Sequence, residues 1–369
     1  MTALHNAGRP RPAVETMPAY RPGKAAAQAE AEHGITNAIK LASNENPLPP
    51  IQAIVDAVTA AARGANRYAD HRATAVRERL STWLDVGVEH ITVGAGSVGL
   101  LQQLFLTYVD PGDEVVYPWR SFEVYPVYTQ LMAGVAVTTE LNGDHAFDLA
   151  AVAAAVTDRT KLVLLATPNN PTGTAVSTAD LATLLEGIPP ETIVVVDEAY
   201  REFLDPSLGD PVRDLVPRFA NVVVTRTFSK AHGMAGIRAG YAIADPDVVA
   251  SIDKTLFPFA VSALAQAAAI AAIDAADEIG ERVANILSER TRVVAELSAK
   301  GWNLPDAQAN FVYLPTGEQT DAIYLGMEQR GVVTRPFPNE GIRVTISTPE
   351  ENDRFLATLA EVTGDRVVC

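Results

Sequence analysis

The stretch Thr225–Tyr241, TRTFSKAHGMAGIRAGY, sets one lysine, Lys230, among the hydroxyls of Thr227 and Ser229, with Arg238 eight residues on. A desolvated lysine near other cations loses its proton more readily, and the neutral amine is a nucleophile toward aldehydes. A lone lysine in a turn is ordinarily a solvated surface residue, so its meaning depends on what else reaches the same edge. Gly94-Ala95-Gly96-Ser97-Val98-Gly99 opens the helical run LLQQLFLTYV. Backbone N–H groups at Gly96, Ser97 and Val98, with the positive end of the helix dipole, suit a phosphate. Read alone, it is a tight strand–helix turn. PWRSFEVYP carries Phe122, an aromatic that either stacks on a planar ring or caps the core. In NNPTGT, Asn170 precedes a Pro-Thr-Gly turn, where its amide can donate to a ligand oxygen or close an Asx turn. TIVVVDEAY ends in Asp197, a carboxylate that needs a strong partner if buried, with Tyr200 three residues later.

These residues require elements to position them. Near-continuous apolar runs recur at 90–96, 113–119, 134–140, 161–168, 192–200, 221–228 and 239–245, separated by helical stretches such as TADLATLLEGI (178–188) with Ser177 or Thr178 as N-cap. Unbroken apolar runs mark strands buried on both faces, so the fold class is α/β with about seven strands, mostly parallel. Ligands of such sheets lie beyond the carboxyl ends of the strands, where Lys230, Asp197, Asn170, Phe122 and the Gly96–Val98 turn all fall. From Ser262 the texture changes to one or two long helices and three short β-like pieces, ANFVYLP, GVVTRPF and GIRVTIS, which read as a smaller α+β domain. The expected division is an N-terminal arm with part of the small domain (1–45), a large domain (46–260) and a small C-terminal domain (261–369). The arm, rich in Pro, Gly and Ala, is expected to be extended with little core of its own.

A phosphate cradle, a ring-stacking aromatic, an amide for a phenolic oxygen, a carboxylate for a pyridinium nitrogen and a lysine for an aldehyde together match pyridoxal 5′-phosphate (PLP) group by group. The 369 residues, 48% hydrophobic and 20% charged, fit a globular protein of one large or two domains. A net charge of −16 argues against nucleic-acid and anionic-membrane surfaces but not against small anions held by local donors. The single cysteine, Cys369, fits a reducing, cytoplasmic compartment. The weakly polar run Phe257–Ile273 reads as a buried helix, not a membrane span. No metal site is indicated.

Nearly the whole chain resembles the fold type I PLP aminotransferases, in the branch that holds histidinol-phosphate and bacterial aromatic amino-acid (phenylalanine) aminotransferases. KLASNENPLPP, NRYAD, PNNPTG, DEAY, TFSKAHGMAGIRAGY, QANFVYLP and GIRVTIS carry the likeness. Within the branch, WRSFEVYP and GSVGLLQQL look like the aromatic enzymes, and FPFAVS has Ala260 where histidinol-phosphate enzymes usually have Asn. The resemblance implies transamination of aromatic amino acids with 2-oxoglutarate, with histidinol phosphate as the alternative substrate. It implies that Lys230 bonds the cofactor and moves the proton, that Asp197 meets the pyridine nitrogen, and that Tyr200 and Asn170 meet the phenolic oxygen. Phe122 then stacks on the ring, while Gly96, Ser97, Val98, Thr227, Ser229 and Arg238 hold the phosphate. Tyr68 then reaches the phosphate in a neighbouring subunit, which requires a homodimer. Arg343 clamps the substrate carboxylate, with Tyr20 and Asn44 as weaker substrate-side candidates. Arg335 fits a family position or a surface charge equally well, and His232 reads as a turn residue. A decarboxylase or lyase on the same fold, or a non-catalytic PLP-binding module, are the remaining readings.

Overall fold

The computed structural model describes residues 8–17 and 23–364; Tyr20 and Cys369 lie outside the described residues. Strand β1 (Ile39–Lys40) precedes a large sheet built from β2 (Ile91–Gly94), β3 (Glu114–Trp119), β4 (Val135–Glu140), β5 (Thr160–Ala166), β6 (Ile193–Asp197), β7 (Val222–Thr227) and β8 (Gly240–Ala244). Their order is β2-β8-β7-β6-β5-β3-β4, seven strands in which β8 runs against both neighbours and all other pairings are parallel. The apolar runs explain this arrangement. Val194, Val195 and Val196 of β6 are fully buried, as are Val222, Val223 and Val224 of β7. Each such side chain contributes about 1.5–3 kcal/mol on leaving water. At the β4 edge the burial lapses, and most of its residues are exposed or half-buried.

Helix Thr178–Glu186 is capped by Ser177, whose side chain accepts from the Asp180 N–H. The run Phe257–Ile273 is helical only from Ala263, because Ser262 caps there by accepting from Ala265 N–H, and Pro258 stands ahead of it. Helix Ala263–Asp274 packs on helices Gln52–Ala62 and Thr74–Leu84, beside the large sheet, and a separate long helix, Ala276–Ala299, follows.

A smaller antiparallel sheet joins β9 (Phe311–Leu314), β11 (Arg335–Phe337) and β12 (Gly341–Thr345) in the order β11-β12-β9. GVVTRPF is therefore not one strand. Its first half, β10 (Val332–Val333), pairs with β1, and its second half, β11, forms the sheet edge. Pro336 lacks an N–H and is tolerated at an edge. The N-terminal arm also departs from expectation, since Ala26–His33 is a helix ended by Gly34 in the left-handed region at φ 64°. KAAAQAEAEH is dominated by strong helix formers, and Lys24 anchors the helix by a 2.6 Å pair with buried Glu328. The β1–β10 pairing, extended by Leu41 N–H to Val333 O (2.7 Å) and Thr345 N–H to Leu41 O (3.0 Å), carries residues 42–45 to the end of the large sheet.

Candidate active site

At the carboxyl ends of β5, β6 and β7 the two sheets face each other across a cavity of about 270 Å³. Ser97, Val98, Phe122, Asn170, Asp197, Tyr200, Thr227, Ser229, Lys230, Arg238 and Arg343 all line it, and so do Asn44 and Arg335. The cavity thus gathers four basic side chains, Lys230, Arg238, Arg335 and Arg343, against three acidic ones, Glu45, Glu123 and Asp197, in a strongly acidic chain. That is a local field for small anions.

Its floor is Asp197, the last residue of β6. One carboxylate oxygen accepts from Tyr125 Oη at 3.0 Å and the other from Thr225 Oγ1 at 3.1 Å. Burial pushes the carboxyl up to about 6, and the Tyr125 and Thr225 hydrogen bonds restrain the rise. A carboxylate in this state is mostly ionised at neutral pH and can meet a protonated ring nitrogen. Lys230, just past β7, donates from Nζ to Ser43 O at 3.1 Å. Burial, reinforced by Arg343 and Arg238 and opposed by Glu45, pulls its ammonium down to about 7. The neutral amine, the form that attacks a carbonyl, is therefore far more accessible at neutral pH than in a solvated lysine.

Tyr200 follows β6 with its ring 5.6 Å from Lys230 Nζ and edge-on to Phe311 at 5.1 Å. Asn44 donates to the Tyr200 hydroxyl at 2.9 Å and is itself tied to Thr345 through both backbone and side chain. Its positive φ of 53° suits an asparagine. The Asn44 side chain thus faces Tyr200 and Thr345. Asn170 accepts through Oδ1 from Arg343 Nη1, and Arg343 Nη2 donates to Ala42 O at 2.6 Å. Phe122 stands edge-on to Tyr125 at 5.7 Å.

The other wall is an anion cradle. Helix Gly96–Tyr108 begins at Gly96, with φ 77°, where a Cβ would lie 2.5 Å from Arg238 Nη2. Only glycine combines that conformation with the arginine's close approach. Arg238 donates to Ser229 Oγ at 3.1 Å, and Thr227 Oγ1 bonds Ser229 Oγ at 3.0 Å. Gly240 of β8 closes the cradle from behind, since a Cβ there would meet Ser97 N at 2.5 Å. The set of lysine, carboxylate, amide, aromatic and N–H-rich cradle fits PLP.

Arg335 faces the cavity, pairing with Arg343 across β11 and β12 so that both project from one sheet face. Its guanidinium also holds Glu123 at 2.7 Å. Two residues lie elsewhere. Tyr68 is 84% exposed and stacked on Phe259 at 4.4 Å, and His232 is buried outside the cavity lining. Sequence reasoning missed Tyr125, Ser43, Gly240 and Thr225. The last was within reach, because Thr225 and Thr227 share one face of a two-residue period inside an apolar strand. Tyr125 sits in a helix, Val124–Leu131, and nothing local ties it to Asp197.

The family model for aminotransferase class I and II matches residues 36–359. An aromatic amino acid aminotransferase of Streptomyces coelicolor is 48% identical over 352 residues, covering 95% of this chain and 96% of that one. The enzyme of the same name from Rhodococcus opacus is 46% identical over 95% of this chain and 94% of its own. Among solved structures, a histidinol-phosphate aminotransferase of Sinorhizobium meliloti in complex with pyridoxal 5′-phosphate superposes with a TM-score of 0.89 at 29% identity, covering 97% and 98% of the two chains. A Thermus thermophilus aspartate aminotransferase gives 0.83 at 25%, covering 97% and 100%. With the family model spanning most of its length and its relatives matched end to end, this chain belongs to the class I and II aminotransferases.

Proposed function

We propose that the protein is a PLP-dependent aminotransferase that moves the amino group between aromatic amino acids, phenylalanine and tyrosine foremost, and 2-oxoglutarate. The observation that carries the reading is the Lys230 amine, depressed to about 7, in one cavity with the buried Asp197 carboxylate and the Arg238–Ser229–Gly96 cradle. The aromatic preference is supported by relatives of that name at 46–48% identity.

The cofactor, when bound, supplies an electrophilic aldehyde carbon and a protonated ring that accepts electrons. The chain does the rest. Gly96, Ser97 and Val98 offer backbone N–H groups, and Thr227, Ser229 and Arg238 add hydroxyls and a guanidinium for the phosphate. Asp197 holds the proton on the ring nitrogen, with Tyr125 and Thr225 keeping its carboxylate ionised. Tyr200 and Asn170 donate to the phenolic oxygen, and Phe122 stacks on the ring. Asn170 is oriented for this because Arg343 takes its carbonyl oxygen. Lys230 is the amine for the aldehyde carbon. The free amine would be placed to carry a proton between the substrate Cα and the cofactor's C4′. Arg343, whose Nη1 and Nη2 each carry one further hydrogen beyond the bonds to Asn170 and Ala42 O, offers these to the substrate's carboxylate.

The active form in this reading is a homodimer. Tyr68, Phe259, Phe257 and Leu106 expose large apolar area, with Tyr68 and Phe259 stacked together. A second copy seated there would place Tyr68 against the partner's cofactor, and sedimentation of wild type and Tyr68→Ala tests it. Among the described residues no helix is long and apolar enough to cross a membrane. A cytoplasmic location is part of the reading, supported by one cysteine in 369 residues.

A second reading, histidinol-phosphate transamination, is favoured by the 0.89 TM-score superposition. Half-reactions of PLP-loaded protein with phenylalanine, tyrosine and histidinol phosphate at matched concentration, followed by visible absorbance, decide between the two. Faster conversion by the aromatic acids supports the first reading. A large advantage for histidinol phosphate overturns it.

A further inference from the structure

Two enclosed groups take no part in the steps above. The His232 side chain is 4% exposed and that of Glu202 19%, and His232 Nδ1 has no hydrogen-bond partner among the described residues. His232 stands two residues after Lys230. Glu202 stands two residues after Tyr200, in the helical turn Arg201–Phe203, and its Oε2 is likewise enclosed without a hydrogen-bond partner among the described residues. The other oxygen, Oε1, lies 3.9 Å from His232 Nδ1. Two such groups left without partners carry a desolvation penalty, which a proton held between them, on the carboxyl or on Nδ1, relieves. A movement of about 1 Å brings them to hydrogen-bond distance.

The His232 ring is edge-on to Phe228 at 4.9 Å. Glu202 shares its pocket with Arg201, Asp210, Arg213, Arg226 and Tyr241, whose hydroxyl is also enclosed without a hydrogen-bond partner among the described residues, and Glu198 is close by. Arg226 is already engaged by Glu198 at 2.7 Å and Asp210 at 2.6 Å, and Arg201 lies 3.6 and 3.7 Å from the same two. Burial pushes the Glu202 carboxyl up to about 7 and the His232 imidazolium down to about 4, so one proton serves both near neutrality.

We propose that Glu202 and His232 share one proton in a buried hydrogen bond that clamps the Lys230 turn to the element carrying Tyr200, making both of them positioning residues. The known bonds of the turn do not do this. Gly233 N–H to Lys230 O (3.1 Å) and Met234 N–H to Phe228 O (3.2 Å) close the turn on itself, and Asn46 Nδ2 to Ala231 O (2.9 Å) ties it to another segment. The pairing of β6 with β7, ending in Glu198 N–H to Thr225 O at 2.8 Å, joins the strands ahead of these two turns, and the Glu202–His232 contact joins the turns themselves, two residues past the tyrosine and two past the lysine. The spacing of Lys230 Nζ from the Tyr200 ring is thereby set from behind. The proposal rests on the reading above, in which both side chains meet PLP.

The test compares wild type, Glu202→Gln and Glu202→Ala. Glutamine keeps a donor and an acceptor of nearly the same shape, and alanine removes both. Long-range ¹⁵N–¹H spectra of His232 in the full chain, with and without PLP, read the contact itself. The pH midpoint of the visible band of PLP-loaded protein and the kcat–KM split with phenylalanine read its consequence. The expected result is a shifted His232 Nδ1 resonance in Glu202→Ala, with the absorbance midpoint displaced by about half a pH unit or more. Its kcat falls on the order of tenfold or more while KM changes little. Glu202→Gln lies close to wild type in all three. An unchanged His232 resonance in Glu202→Ala overturns the proposal, and so does a Glu202→Gln protein as impaired as the alanine variant. If Glu202→Ala does not fold, a wild-type Nδ1 resonance typical of a solvated imidazole also overturns it. Wild type that takes up no PLP refutes the functional reading instead, and the His232 resonance still decides the pairing.

Discussion

Replacing Lys230 by methionine in protein free of PLP should stabilise the fold, and should do so as a function of pH. Methionine keeps most of the side chain's length and apolar volume and removes the titrating group. Burial, with Arg343 and Arg238 nearby, takes the lysine from 10.5 to about 7 in the folded chain. At about 1.4 kcal/mol per pH unit, that depression corresponds to a penalty on the order of 5 kcal/mol for holding the charged amine. Below pH 7 the folded and unfolded chains both carry the proton, and the full penalty opposes folding. Between pH 7 and 10.5 only the unfolded chain is protonated, so the penalty shrinks as pH rises, to about 2 kcal/mol at pH 9. Above 10.5 it is gone. Urea unfolding of the parent and Lys230→Met at pH 6 and pH 9 should therefore show the variant more stable at both, with the gap narrowing by about 3 kcal/mol between them. A gap that is the same at both pH values would show that the lysine is solvated in the folded chain, and the account of its nucleophilicity would fall with it.

Three other substitutions probe separate parts of the cavity. Asp197→Asn should retain PLP, measured by absorbance after gel filtration, while kcat falls on the order of 10²-fold or more, because a charge that supports the ring nitrogen is removed. Tyr125→Phe removes a donor to the Asp197 carboxylate, worth about 1–2 pH units for a bond to a charged group. The acid limb of kcat/KM should then move upward, and an unmoved limb would mean Tyr125 only packs. Gly96→Ala forces a Cβ onto Arg238 and a side chain into the left-handed region, at about 1–2 kcal/mol of strain. Equilibrium dialysis should show weaker PLP binding, with KM for the amino acid nearly unchanged in the loaded fraction.

Much of the large sheet was legible along the chain because its signal is local. Cores such as IVVV (193–196) and VVV (222–224) are apolar on both faces, and an unbroken apolar strand belongs inside a parallel sheet. Residues at the ends of such strands must share an edge, so Lys230, Asp197 and Asn170 could be grouped without a structure. Thr225 obeyed the same period-two logic and could have been added. The pairing partners of short polar-flanked pieces were not legible. Nothing within GVVTRPF says that its first two valines join β1 while Arg335 faces Arg343 across another sheet. The first pairing joins segments from opposite ends of the chain; the second is a local hairpin, and its placement against the large sheet decides whether Arg335 is a surface charge or part of the cavity. The amino acids alone determined the reactive groups and their order along the sheet. Their protonation states were decided only by tertiary structure. Burial, with Arg343 and Arg238 nearby, depresses a lysine to about 7, and burial raises an aspartate to about 6, while Glu45 and Tyr125 limit the two shifts; the fold brings these groups together from remote positions.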